Sequence, residues 1–226
     1  MDKASANISA VFLDLDGTLT DPSDGITKCF MHAMECLGRP VPAVSELLQY
    51  IGPPLRKSFS CLLGSDDSEV VEPALDCYRQ RYSTVGIFEL AVYPGIPSLL
   101  EALHADGFAL YIVTSKPTVY ARRIADRFGW TKYFEEIYGP ELSGRFDDKT
   151  ELIAHIFEQT SLVPQRCVMV GDRASDTVAG RANGTQAISV TYGFGSLEEL
   201  SAAGPDAICP SAEAIRPAVL KMFSAA

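Results

Sequence analysis

The sequence is poor in the side chains that build zinc or disulfide frameworks: it has three histidines, six cysteines and no Cys-x-x-Cys pair. His32, His104 and His155 stand singly within helical patterns, so no cluster of imidazole and thiolate donors is available for zinc. Cys29, Cys36, Cys61, Cys77, Cys167 and Cys209 fall inside apolar helical or strand patterns, which predicts buried free thiols in a reducing compartment. Basic residues are in deficit, and the net charge of −10 argues against a nucleic-acid polymer or an anionic membrane as partner, since the overall field attracts neither. A small anion remains possible if a metal or a few lysines supply local positive charge. No apolar run approaches the roughly 18 residues needed to span a bilayer. Nor is there a basic start followed by an apolar run, as a signal peptide has, so a cytoplasmic location is expected. Gly193-Phe194-Gly195 lacks the third glycine of a dinucleotide fingerprint and reads as the turn into a helix capped at Ser196.

What is present is ample apolar material, 47% of 226 residues, in two rhythms. Strand-length apolar runs recur at Ser9–Leu13, Phe108–Val113, Glu136–Tyr138, Cys167–Val170, Ala187–Val190 and Ala207–Cys209. Most are separated by segments of helical period, including Ile96–Ala105, Val119–Phe128 and Leu152–Thr160. Strands apolar throughout, alternating with helices, predict an α/β fold with a Rossmann-like parallel sheet covered on both faces. Between the first two runs, Gly25–Leu37, Val44–Tyr50, Leu55–Leu63 and Val70–Tyr82 carry helical spacing with no convincing strand. This predicts a helical cap domain, residues 22–90, inserted into a core formed by 1–21 and 91–226. Helix starts are marked by Asp148 with Glu151, by Ser196 with Glu199 and by Pro117 in a first turn. Trp130 reads as core or helix-end packing.

Polar residues collect where these strands end. Asp14 and Asp16 follow the first apolar run, and Gly17 permits a sharp exit. Thr114-Ser115 follows the second run and precedes a helix, a natural anion cradle. Lys149 opens a later helix, and Gly171-Asp172 with Asp176 follows Cys167–Val170. In open α/β sheets these carboxyl ends are where ligands bind. Several carboxylates on one edge repel unless a divalent cation compensates, and a hard oxygen donor set points to Mg²⁺. An EF-hand is excluded, because Leu19 stands where its glycine is needed and Gly25 where its bidentate glutamate belongs.

Asp14-Leu15-Asp16-Gly17-Thr18, Thr114, Lys149 and Gly171-Asp172 with Asp176, in that order, resemble the four motifs of the haloacid dehalogenase superfamily. Thr114-Ser115-Lys116-Pro117, Ile51-Gly52-Pro53-Pro54-Leu55 and Thr191-Tyr192-Gly193-Phe194-Gly195 are similar to its branch of phosphoglycolate phosphatases and 5′-nucleotidases. Ser115 stands where the phosphoglycolate group often has asparagine. The resemblance implies a phosphatase in which Asp14 is the nucleophile and Asp16 the acid and base. It implies Mg²⁺ held by Asp14, the backbone carbonyl of Asp16 and Asp172, with Asp176 orienting Lys149 or a metal-bound water. Thr114, Ser115, Lys116 and Lys149 would bind the phosphoryl group, and Arg56 would reach the leaving group. The expected partner is a small phosphorylated metabolite, and the expected assembly a monomer or homodimer. A phosphomutase would use the same core motifs. A phosphoaspartate receiver would use similar residue types, but with an adjacent acidic pair instead of Asp-x-Asp and without the insertion.

Overall fold

Residues Ala10–Leu13 have no exposed surface at all, and they form strand β1 at the middle of the sheet. Its alternate side chains feed two cores, as the period of two requires. Val11 and Leu13 join the cluster that contains Leu99, Leu100, Ile124 and Val219, whereas Ala10 and Phe12 join Leu152, Ile153, Ile156 and Ala179. The computed structural model describes residues 9–224.

After β1 come β2 (Thr20–Asp21), α1 (Ser23–Cys36), α2 (Val44–Leu47), α3 (Leu55–Leu63), α4 (Ser68–Tyr82) and β3 (Ala91–Val92). Then follow α5 (Ile96–Ala105), β4 (Ala109–Val113), α6 (Thr118–Arg127), β5 (Phe134–Tyr138), α7 (Lys149–Gln159) and β6 (Cys167–Gly171). The chain continues through α8 (Ala174–Ala182), β7 (Gln186–Val190), α9 (Leu197–Ala203), β8 (Ala207–Cys209) and α10 (Ile215–Phe223). The larger sheet is parallel, in the order β5-β4-β1-β6-β7-β8. The chain winds outward from β1 through β4 to β5, then returns to the other side of β1 as β6. The reversal leaves a crevice at the carboxyl ends of β4, β1 and β6.

The helices α1 to α4 form an insertion above that crevice, and Phe30, Phe59 and Tyr78 form its aromatic centre with ring centroids 4.9–5.9 Å apart. Its borders hold a feature the apolar pattern misses. β2 and β3 pair as an antiparallel ribbon, two residues on each side, too short to show a period of two. The segment expected as one helix over Val44–Tyr50 breaks after Leu47 into a single 3₁₀ turn, Leu48–Tyr50, ahead of the extended Ile51.

Other local expectations are corrected by tertiary contacts. Pro117 lies one residue before α6, with an extended ψ of 133°, and not in the first turn. Ser196 caps α9 by accepting from the Glu199 N–H, but the Glu199 carboxylate accepts from Ala174 N–H and Arg173 instead of closing a capping box. Asp148 caps α7 through the N–H of Thr150 rather than that of Glu151. Cys29, Cys167 and Cys209 are buried thiols, whereas Cys36 and Cys61 are exposed because they face outward on α1 and α3. Trp130 is buried and packs on Phe128.

Candidate active site

Register brings the polar residues together. Leu13 pairs with Ile112 on one side and Val170 on the other, so the residues just beyond β1, β4 and β6 share one edge. The Asp14 N–H donates to the carbonyl of Val170 at 2.9 Å, and the Thr114 N–H donates to that of Tyr138 at 3.0 Å. The Thr114 Oγ1 accepts from the Lys116 N–H at 3.2 Å, which leaves its hydroxyl proton free to donate to an anion. Lys149, first residue of α7, places its ammonium 3.1 Å from Asp14 Oδ1 and in contact with Asp176 Oδ1. Asp176 accepts a second hydrogen bond, on Oδ2, from the Arg173 N–H at 3.0 Å. Both of its oxygens are thus engaged by the protein.

Asp172 is held from two sides. Its Oδ2 accepts from the Phe194 N–H at 2.7 Å, while its Oδ1 is buried without a hydrogen-bond partner. Gly17, at φ +88°, passes so close that a Cβ there would lie 2.1 Å from Asp172 Oδ2. Only glycine permits that approach in that conformation. The Gly193-Phe194-Gly195 turn therefore does more than lead into α9: it fixes a carboxylate.

The charges in this region do not balance. Asp14, Asp16, Asp172 and Asp176 are all buried, and the buried cations among the described residues are Lys116 and Lys149. With all four carboxylates ionised, four negative charges against two positive ones leave a deficit equal to one divalent cation. Asp14, Asp172 and Asp176 offer oxygens within 4.8 Å of one another, a spacing that suits a shared ion. The titration of these groups reflects the same strain. Burial raises Asp172 well above the ordinary carboxylate value, and the neighbouring charges of Asp14 and Asp176 raise it further. Burial pushes Asp176 up to about 6 despite the pull of Lys149. Asp16 is also raised by burial, against the opposing effect of Lys116. Burial alone would lower the lysines, but their carboxylate neighbours outweigh it and keep both charged.

Two residues expected to meet substrate are engaged within the protein. The Lys116 ammonium lies 2.7 Å from Asp16 Oδ2 and contacts the hydroxyl of Tyr82. Arg56 lines the cleft, but its Nε and Nη2 grip Glu72 at 2.8 and 3.1 Å. Ser115 also lines the cleft, as do Tyr50, Tyr78, Arg79, Tyr82, Tyr120 and Asp147. Tyr78, Arg79 and Tyr82 belong to α4, and helical periodicity alone gives no reason to single them out. Their sequence signal is only the density of polar and aromatic side chains near that helix's carboxyl end, Tyr78-Arg79-Gln80-Arg81-Tyr82.

Residues 11–190 match the model of the haloacid dehalogenase-like hydrolase family, and the chain belongs to that family. It is 42% identical over 216 residues to a 5′-nucleotidase of Pseudomonas aeruginosa, covering 96% of this chain and 97% of that one. The phosphoglycolate phosphatase of Vibrio parahaemolyticus is 27% identical over 212 residues, covering 91% of this chain and 93% of its own. Among solved structures, a phosphatase from Clostridium acetobutylicum, itself described as predicted, superposes with a TM-score of 0.91 at 37% identity. That match covers 95% of this chain and 100% of the other. The protein is accordingly a phosphatase built on a parallel sheet with a helical insertion.

Proposed function

We propose that this enzyme is a Mg²⁺-dependent phosphatase of small phosphate monoesters, working through an aspartyl-phosphate on Asp14, with nucleoside 5′-monophosphates ahead of phosphoglycolate as substrates. The observation that carries the substrate reading is the wall above Asp14. Tyr50, Tyr78, Tyr82 and Tyr120 line the cleft together with Glu141 and Asp147, with Phe30 packed behind them and without exposed surface of its own. Aromatic faces suit a planar, uncharged leaving group. A glycolate leaving group carries its own carboxylate and would meet these acids. Arg56 spends two of its nitrogens on Glu72, and Arg79 donates to the carbonyl of Leu142 at 3.1 Å.

In this reading residues 22–90 are the cap that selects the ester, and 1–21 with 91–226 are the core that cleaves it. A carboxylate oxygen of Asp14 attacks phosphorus as the ester P–O bond breaks, and the departing oxygen takes its electron pair and a proton from Asp16. Water then attacks phosphorus, gives its proton to Asp16, and releases inorganic phosphate with Asp14 restored. Thr114 donates its free hydroxyl proton to a phosphoryl oxygen. Lys149, oriented by Asp176, holds Asp14 and the phosphoryl group together. Asp14, Asp172 and the backbone carbonyl of Asp16 would hold Mg²⁺, for which the charge deficit and the unpartnered Asp172 Oδ1 are the support. When bound, it compensates the charge that gathers during transfer. The free thiols suit a cytoplasmic enzyme, acting as a monomer or homodimer on a small metabolite.

A panel of esters with Mg²⁺, read by released phosphate, tests this. Nucleoside monophosphates are expected to exceed phosphoglycolate in kcat/KM, and the reverse order would overturn the substrate reading. Arg56→Ala is expected to raise KM for the preferred ester by about tenfold, the scale of one charged hydrogen bond, made through the Nη1 that the Glu72 pair does not use. If it lowers all rates equally and leaves the ranking intact, Arg56 has no part in recognising the leaving group.

A further inference from the structure

The general acid and base of the proposed reaction is tied to the insertion by a single lysine. Lys116, in the turn between β4 and α6, is 7% exposed and sits between two partners. One is Asp16 Oδ2 on the core, 2.7 Å away. The other is the hydroxyl of Tyr82, the last residue of α4 in the insertion. The ammonium meets Tyr82 at its hydroxyl edge, 4.6 Å from the ring centroid, so the hydroxyl is its point of attachment. Tyr82 is itself held firmly. It stacks on Tyr78 at 5.4 Å with 17° between the rings, and meets Tyr120 of α6 edge-on at 5.2 Å.

The consequence falls on the second oxygen of Asp16. Oδ1 is buried and has no hydrogen-bond partner, and Asp16 lines the cleft beside Asp14. A carboxylate pinned by one oxygen cannot rotate freely, so the other oxygen keeps a fixed aim. A lysine in this cleft would ordinarily serve a phosphate, and Lys149 already does so. We propose that Tyr82 and Lys116 are positioning residues in series, Tyr82 holding Lys116 and Lys116 holding Asp16, with Oδ1 kept free to exchange a proton with the leaving oxygen. The acid–base step is then complete only while α4 is seated on the core. The proposal rests on the phosphatase reading given above.

Esters that differ in their need for an acid separate this role from a structural one. An alkyl phosphate has a poor leaving group and requires protonation, whereas p-nitrophenyl phosphate departs as a stable anion and requires little. Tyr82→Phe keeps the ring and its packing on Tyr78 and Tyr120, and removes only the hydroxyl. The ratio of kcat/KM for the alkyl ester to kcat/KM for the nitrophenyl ester, which reports the steps up to departure of the leaving group and not the later hydrolysis common to both, is expected to fall at least tenfold in Tyr82→Phe. In Lys116→Met the ratio should fall further. An equal fall on both esters, or an unchanged ratio with a normal thermal melt, would overturn the relay. If the unmodified enzyme cleaves neither ester, the phosphatase reading fails first and the relay with it. Because Tyr82→Phe removes a single buried atom and leaves the Lys116–Asp16 ion pair in place, it still gives a result should Lys116→Met not fold.

Discussion

Asp14→Asn should abolish turnover, by about 10⁴-fold or more, while the protein stays folded. The amide keeps the volume and the backbone N–H bond to Val170 of the native residue, but it is no nucleophile toward phosphorus. The electrostatics favour survival of the fold. Asp14 contributes repulsion to Asp16, Asp172 and Asp176, and all three are relieved when its charge is removed. Lys149 loses one ion-pair partner but keeps Asp176. The melting temperature without added metal is therefore expected to hold or rise. Radiolabelled substrate should leave an acid-stable, hydroxylamine-sensitive phosphoprotein in the native enzyme and none in the variant. Turnover above about one per cent of native would contradict covalent catalysis at Asp14, because removal of a nucleophile costs several orders of magnitude.

The parts of the site that lie at strand ends were readable because the strands themselves are. Ala10–Leu13 and Cys167–Gly171 are buried throughout, so their apolar runs are unbroken and the first polar residue beyond each marks the sheet edge. Parallel neighbours in register then bring Asp14, Thr114 and Asp172 together without further information. What could not be read depends on contacts distant in sequence. Lys116 looks like a substrate ligand until Tyr82, 34 residues earlier, is seen to hold it. Glu199 looks like half of a capping box until Ala174, 25 residues earlier, takes its carboxylate. The ribbon of β2 and β3 owes its existence to closure of the insertion, not to any period in its residues. Cys36 and Cys61 show the limit from the other direction. An apolar helical pattern locates a helix, but it does not say which of its small residues ends on the outer face.

Mg²⁺ should stabilise the protein more at pH 7.5 than at pH 5, and a chelator should remove both that stability and the activity. The sign follows from the buried carboxylates. Asp176 titrates at about 6 in the folded chain against an ordinary value of 3.8, and Asp16 and Asp172 are raised as well. Below the ordinary value both folded and unfolded chains are protonated at these positions, and nothing is lost. Between that value and the folded one, the unfolded chain releases protons that the folded chain retains. Stability of the metal-free protein therefore falls as pH rises through this window, and the penalty remains above it. A divalent cation favours the ionised carboxylates, so its binding removes a penalty that exists near pH 7.5 and is smaller at pH 5. At a concentration of about 100 times its dissociation constant, the ion would contribute about 2.7 kcal/mol. For a chain of this size that corresponds to a rise in melting temperature of roughly 5–10 °C. Thermal melts at the two pH values, with chelator and with Mg²⁺, read the difference directly. A rise as large at pH 5 as at pH 7.5 would mean that the ion binds elsewhere. Full activity in the presence of chelator would show that the two unbalanced charges are met by protonation and not by metal.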